Sequence, residues 1–164
     1  MTRSTPVLHM LCGLMAAGKS TLAARLSAPA GVVRLSEDAW LAPLFADQMH
    51  DGADYLRCSG KLRAAMAPHV EALLAAGLSV ALDFPANTPE QRAWMRGLLD
   101  RSGVAHRMHV LETPEALCLA RLRARNAAGL HPFAPSEAQF HAFARRYAPP
   151  TPDEGFEIVR HRPD

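Results

Sequence analysis

No stretch of the 164-residue sequence approaches the ~20 consecutive apolar residues that a membrane-spanning helix needs, so no such helix is expected. Cysteine is scarce too: Cys12, Cys58 and Cys118 are odd in number, widely spaced and without C-x-x-C or Cys/His metal spacing. That pattern predicts buried thiols in a reducing cytoplasm, with no disulfide and no structural zinc. Neither charge sign dominates. The formal net charge is +2, so charge alone announces no polyanion-binding surface and leaves nucleic acid an unsupported partner. The eight histidines are scattered without metal-site spacing, and only His131, in a loop, invites a test. Internal repeats are absent, and no interface stripe announces an oligomeric state.

Arg3 followed by the apolar run from Val7 to Ala17 superficially resembles a short secretory signal. His9 interrupts that run, Leu11 stands where a lipoprotein signal wants a small residue before Cys12, and cleavage would cut a phosphate-binding pattern. The segment is therefore expected to stay in the protein as its first strand.

What is present suits one soluble domain over residues 1–164, since 49% hydrophobic content fills one core and not comfortably two. Strand-like and helix-like blocks alternate. "VLHMLC", "GVVRL", "LSVALDF", "HRMHVLE" and "FEIVRH" read as strands, and "KSTLAARLSA" reads as a helix. Leu62, Met66, Val70, Leu73 and Leu74 share a helix face that ends at Gly77, with Pro68 predicting a kink or two shorter helices. Thr88, Pro89 and Gln91 cap a helix running through Arg101, while Thr113 and Pro114 open another. Ser136 and Gln139 cap a last helix whose Phe140, Phe143, Ala144 and Tyr147 line one face. Strands separated by helices predict an α/β fold, a parallel sheet covered on both sides.

The stretch "GLMAAGKST" matches G-x-x-x-x-G-K-[ST] between a strand and a helix. Gly13, Leu14, Met15, Ala16, Ala17, Gly18, Lys19, Ser20 and Thr21 would surround phosphate oxygens with backbone N–H groups at a helix N-terminus. Lys19 would reach the β and γ phosphates of ATP, and Ser20 would offer an oxygen to Mg2+. Asp83, ending the apolar strand beside the loop, is the second metal-ligand candidate; a loop-capping carboxylate is its plainer reading. Phe84 follows it, where many ATP-hydrolysing relatives of this loop carry a water-orienting glutamate. A guanine-selecting N-K-x-D sequence is missing as well. Both gaps count against a dedicated ATPase or GTPase.

In "RLSEDAWL", Asp38 falls just past the second strand, at the sheet edge where open α/β folds gather ligands. A carboxylate there suits a neutral alcohol acceptor, whose proton it takes and whose oxygen it orients. Helix capping is the competing reading, because Ser36, Glu37 and Asp38 all favour helix starts, and Glu37 is the weaker candidate base. Arg121 and Arg125 stand four apart on one helix face that runs into the loop "AAGLHPFAP". They would serve a lid at about residues 126–136, Arg121 near adenine or phosphates and Arg125 against transferred charge. A solvated basic helix is the alternative.

Taken together, "GLMAAGKST", "LSEDAWL", "LDFPANTPEQR", "ARLRARN" and "PPTPDEGFEIV" resemble the bacterial AAA_33-type, zeta-toxin-like P-loop kinases, related in plan to chloramphenicol phosphotransferase and polynucleotide kinase. The resemblance covers nearly the whole chain. It implies a three-layer fold with a five-stranded parallel sheet in order 2-3-1-4-5, Mg-ATP as donor, and Lys19, Asp38, Arg121 and Arg125 as loop lysine, base and lid arginines. It also implies an acceptor-facing role for Arg92. The chain is short for a true zeta toxin and carries no phosphatase domain of the kind joined to some polynucleotide repair kinases.

The acceptor is read less directly. Trp40, Leu41, Leu44, Phe45 and Met49 would make an apolar wall near Asp38 for a compact alcohol, or else face the core. Arg57, Lys61 and Arg63 would suit an anionic acceptor such as an oligonucleotide end, or else form a wet helix face. Three functions follow: a small-molecule hydroxyl kinase, a 5′-hydroxyl polynucleotide kinase, and a nucleotide-driven switch that phosphorylates nothing.

Overall fold

Short apolar blocks rich in Val, Leu and Met extend into strands, and each of the first four is followed by a helix that returns over the sheet. The computed structural model describes residues 5–129 and 134–163. Among them the strands are β1 (Val7–Cys12), β2 (Val32–Ser36), β3 (Ser79–Pro85), β4 (Ala105–Leu111) and β5 (Ile158–His161). The α-helices are α1 (Lys19–Leu26), α2 (Glu37–Phe45), α3 (Gly52–Ala75), α4 (Pro89–Ser102), α5 (Glu115–Ala128) and α6 (Glu137–Arg146). All strand pairs are parallel, in the order β2-β3-β1-β4-β5. The sheet order implied by the resemblance is the one observed.

Two apolar clusters cover the sheet's two faces. Leu8, Met10 and Cys12 of β1 point to the larger one, against Leu62, Met66, Val70 and Leu74 of α3 and Met95 and Leu98 of α4. Leu11 points the other way, toward Leu22 of α1, Leu122 of α5 and Phe140 of α6, as the two-residue strand period requires. The β1–β3 register slips between Met10 and Leu11, just before the glycine loop. Such an irregularity bends the strand ends apart at the edge where ligands collect.

α3 runs unbroken through Pro68, so of the expected kink or two shorter helices the split does not occur. Pro68 and Ala64, the residue whose carbonyl loses its bond, are both exposed, so water replaces the missing donor. α4 and α6 start where the capping signals place them, each with a complete capping box. No helix among the described residues is long and apolar enough to cross a membrane. Cys12, Cys58 and Cys118 are buried and free.

Candidate active site

The loop between β1 and α1 folds as a cradle because two of its residues take left-handed backbone angles, Ala16 at φ 63° and Gly18 at φ 104°. Gly18 adopts that angle without penalty, whereas a Cβ-bearing Ala16 does so at a cost of about 1–2 kcal/mol. Gly13 is required for space. A Cβ there would lie 3.1 Å from Leu111 Cβ and 3.2 Å from Ala17 Cβ. Three side chains brace the cradle. Gly13 N donates to Asn87 Oδ1 at 2.9 Å, Thr113 Oγ1 donates to the Ala17 carbonyl at 2.9 Å, and Arg121 reaches the same carbonyl at 3.5 Å. Lys19 Nζ donates to the Gly13 carbonyl and, at 2.8 Å, to that of Leu14. Desolvation lowers the Lys19 pKa; neighbouring thiols and the carboxylates of Asp83 and Asp38 oppose that shift.

A cleft of about 1500 Å³ opens beside this loop at the carboxyl ends of the strands. Of the expected loop from Gly13 to Thr21, Met15 to Thr21 line it and Gly13 and Leu14 do not; Asp38, Asp83, Arg121 and Arg125 line it as well. Ser20 and Asp83 present hard oxygen donors on the cleft wall, the ligand type magnesium takes. Asp83 Oδ2 is held by Arg34 at 2.9 Å. Arg125 Nε is buried with no partner.

The start of α2 sorts its three polar residues by role. Ser36 is the N-cap and its hydroxyl accepts from Ala39 N, so neither carboxylate is needed as a cap. Asp38 is half-buried on the cleft wall. Glu37 is buried at 3% exposure, also on that wall, and its Oε1 accepts from the Tyr55 hydroxyl of α3. Burial pushes the Glu37 pKa up to about 7, against the Tyr55 bond and the nearby Arg63 charge, which lower it. Tyr55 in turn meets Phe143 of α6 edge-on at 5.9 Å, which ties the helices on the two faces of the sheet together across the cleft.

Two expected site residues lie elsewhere. Arg92 does not face an acceptor: it is 2% exposed, and its guanidinium binds Glu154 at 2.7 Å and the carbonyls of Ala86 at 3.0 Å and Ala148 at 2.7 Å. Its charge is spent joining the β3–α4 loop to the segment before β5. Trp40 points outward and does not line the cleft, because α2 turns Leu41 inward and packs Phe45 against the same cluster, which Met49 joins from beyond the helix. Leu44 is exposed as well, so among the five apolar residues only Met49 reaches the cleft. Of the three basic residues on α3, Arg57 is engaged by Asp54 and the Gln48 carbonyl, Lys61 is exposed away from the cleft, and Arg63 lines it. His131 and part of the expected lid lie outside the described residues, although Asn126 Nδ2 bonds the Pro135 carbonyl and Arg123 pairs with Glu137 on either side of it. Asn87 and Tyr55 were not legible as site residues, since each acts through a partner distant in sequence.

Comparison with known families decides what this cleft belongs to: the model of the AAA_33 family, described as an AAA domain, matches residues 8–150. The chain belongs to the AAA_33 family. No curated protein matches the sequence. The AAA_33 fold recurs in a candidate kinase from Chloroflexus aurantiacus, at 21% identity and TM-score 0.74, over 96% of this chain and 85% of that one. It recurs in the Mycobacterium tuberculosis APS kinase CysC, solved with AMPPNP and APS, at 23% identity and TM-score 0.63, over 98% and 90%. A sugar kinase from Janibacter matches at 16% identity and TM-score 0.66, over 97% and 86%. At these identities the likeness is one of fold, and that fold is the P-loop kinase fold.

Proposed function

We propose that this AAA_33 domain is an ATP-dependent phosphotransferase that moves the γ-phosphoryl group to a hydroxyl of a small molecule. The observation that carries the reading is Asp38, a carboxylate on the wall of the same cleft as the Lys19 loop. The loop amides from Met15 to Thr21 hold the donor's phosphates, and Lys19 leaves its two carbonyl partners to meet them. Magnesium, when bound, offsets phosphate charge, and Ser20 and Asp83 are the residues that would hold it. Asp38 accepts the proton of the acceptor hydroxyl as its oxygen bonds to phosphorus and the bond to the ADP oxygen breaks. Arg121 and Arg125 neutralise charge on the moving group, and the lid excludes water. A cytoplasmic location fits this use of ATP.

The charges on the acceptor side favour a small molecule over a 5′-hydroxyl nucleic acid. Of the three basic residues that would suit an oligonucleotide end, only Arg63 lines the cleft, beside Glu37, Asp38 and Asp51. The test is ADP formation from Mg-ATP with and without a mixed pool of hydroxyl metabolites, antibiotics and short 5′-hydroxyl oligonucleotides, using the parent and Asp38→Asn. Pool-dependent ADP that falls ~10²–10⁴-fold in the variant is expected. Slow ADP formation indifferent to pool and variant contradicts the kinase reading and favours a nucleotide-driven switch.

A further inference from the structure

Two polar atoms in the acceptor half of the cleft are buried and have no partner: Glu37 Oε2 and Arg63 Nε. Glu37 is more than nine-tenths buried, its other oxygen is committed to Tyr55, and Arg63 is anchored through its NH2 nitrogen to Ser59 Oγ at 2.6 Å. The two charges sense each other, since Arg63 lowers the Glu37 pKa, yet they form no ion pair. A buried polar atom ordinarily has a hydrogen-bond partner, so the site is incomplete as it stands. A carboxylate oxygen needs a donor and a guanidinium N–H needs an acceptor. A hydroxyl is both at once.

We propose that Glu37 and Arg63 form a subsite for a second hydroxyl of the acceptor, beside the one presented to Asp38, so that the substrate is a polyol or sugar-like molecule. This rests on the phosphotransferase reading for its use, though not for its binding. The second hydroxyl donates to Glu37 Oε2 and accepts from Arg63 Nε–H, while Tyr55 and Ser59 keep the two side chains in place. Glu37 is then a positioning residue that sets which hydroxyl meets Asp38. Met49 and the Tyr55–Phe143 pair supply apolar surface for the carbon skeleton.

The experiment pairs glycerol, erythritol and ribose with 1-propanol, 1-butanol and tetrahydrofurfuryl alcohol, which keep one hydroxyl each. Binding is read by saturation-transfer NMR in Mg-ADP, and transfer by mass gain in Mg-ATP. At least one polyol should bind and gain phosphate while its one-hydroxyl partner does so at least tenfold less well. Glu37→Gln and Arg63→Met should each raise the polyol KM about tenfold or more with a smaller change in kcat. Melting curves of both variants, read beside their KM values, separate loss of the subsite from loss of the fold. Polyol binding that is lost in both variants, without transfer in the parent, overturns the kinase reading and keeps the subsite. Transfer to mono- and polyhydroxyl compounds alike, insensitive to both variants, overturns the subsite and keeps the kinase. Absence of both binding and transfer for all six compounds overturns both.

Discussion

At the scale of single residues, two positions in the phosphate loop behave differently. Gly13→Ala must push Leu111 or Ala17 aside, because the new Cβ would stand 3.1–3.2 Å from both. ATP affinity measured by calorimetry should fall at least tenfold while the fold survives. Lys19→Ala should abolish ATP binding in the same assay, since no other side chain replaces its charge within the loop. Two titrating groups shape stability in opposite directions. The His109 pKa is pushed down to about 4 by burial first and then by His9, His161 and Arg107; its ring bonds His9 at 3.0 Å and His161 at 2.8 Å. As pH falls below the unfolded value of 6.5, the unfolded chain takes a proton that the folded chain refuses, so stability drops between there and about 4. Glu37, held up at about 7, costs stability as pH rises from its ordinary 4.5 through about 7, because only the unfolded chain loses the proton freely. Melting curves should show His109→Gln flattening the acid limb and Glu37→Gln raising Tm at pH 8. Each change should amount to several degrees, at about 2–4 °C per kcal/mol for a chain of this size.

At the scale of elements, most boundaries were legible because caps and period carry them locally. Thr88 with Gln91 and Ser136 with Gln139 form the capping boxes their spacing announces, and the strand blocks extend where their apolar runs lie. Pro68 misled because sequence shows a missing N–H and not which way the orphaned carbonyl faces; exposure decides that the helix continues. Pro68→Ala restores the bond to Ala64 and should stabilise the fold by about 1–2 kcal/mol in denaturant melts, below the ~3 kcal/mol of a buried helix proline. Arg92 misled for the opposite reason: its polar partners, Glu154 and the carbonyls of Ala86 and Ala148, come from segments far along the chain. Arg92→Met leaves Glu154 and two carbonyls without their donor. It should lower stability by about 3–5 kcal/mol, far more than loss of a surface ion pair such as Arg96–Asp100.

At the scale of the molecule, the fold was legible through alternation and the loop motif, and the nucleotide half of the cleft through the same motif. The acceptor half was not, because it depends on how α2 and α3 meet: Asp38 was readable from its place after β2, while burial of Glu37 against Tyr55 and the unpartnered Arg63 Nε appear only in three dimensions. The proposed transfer makes one demand of the chemistry, that the phosphoryl group go to an alcohol and not to water. The most direct measurement is therefore the ratio of phosphate gained by acceptor to ADP formed, followed by mass spectrometry in one reaction with Mg-ATP and the hydroxyl pool. A ratio near one, with Asp38→Asn still binding ATP and losing transfer, is the predicted result. ADP matched by free phosphate at every pool composition, in parent and variant alike, would contradict it.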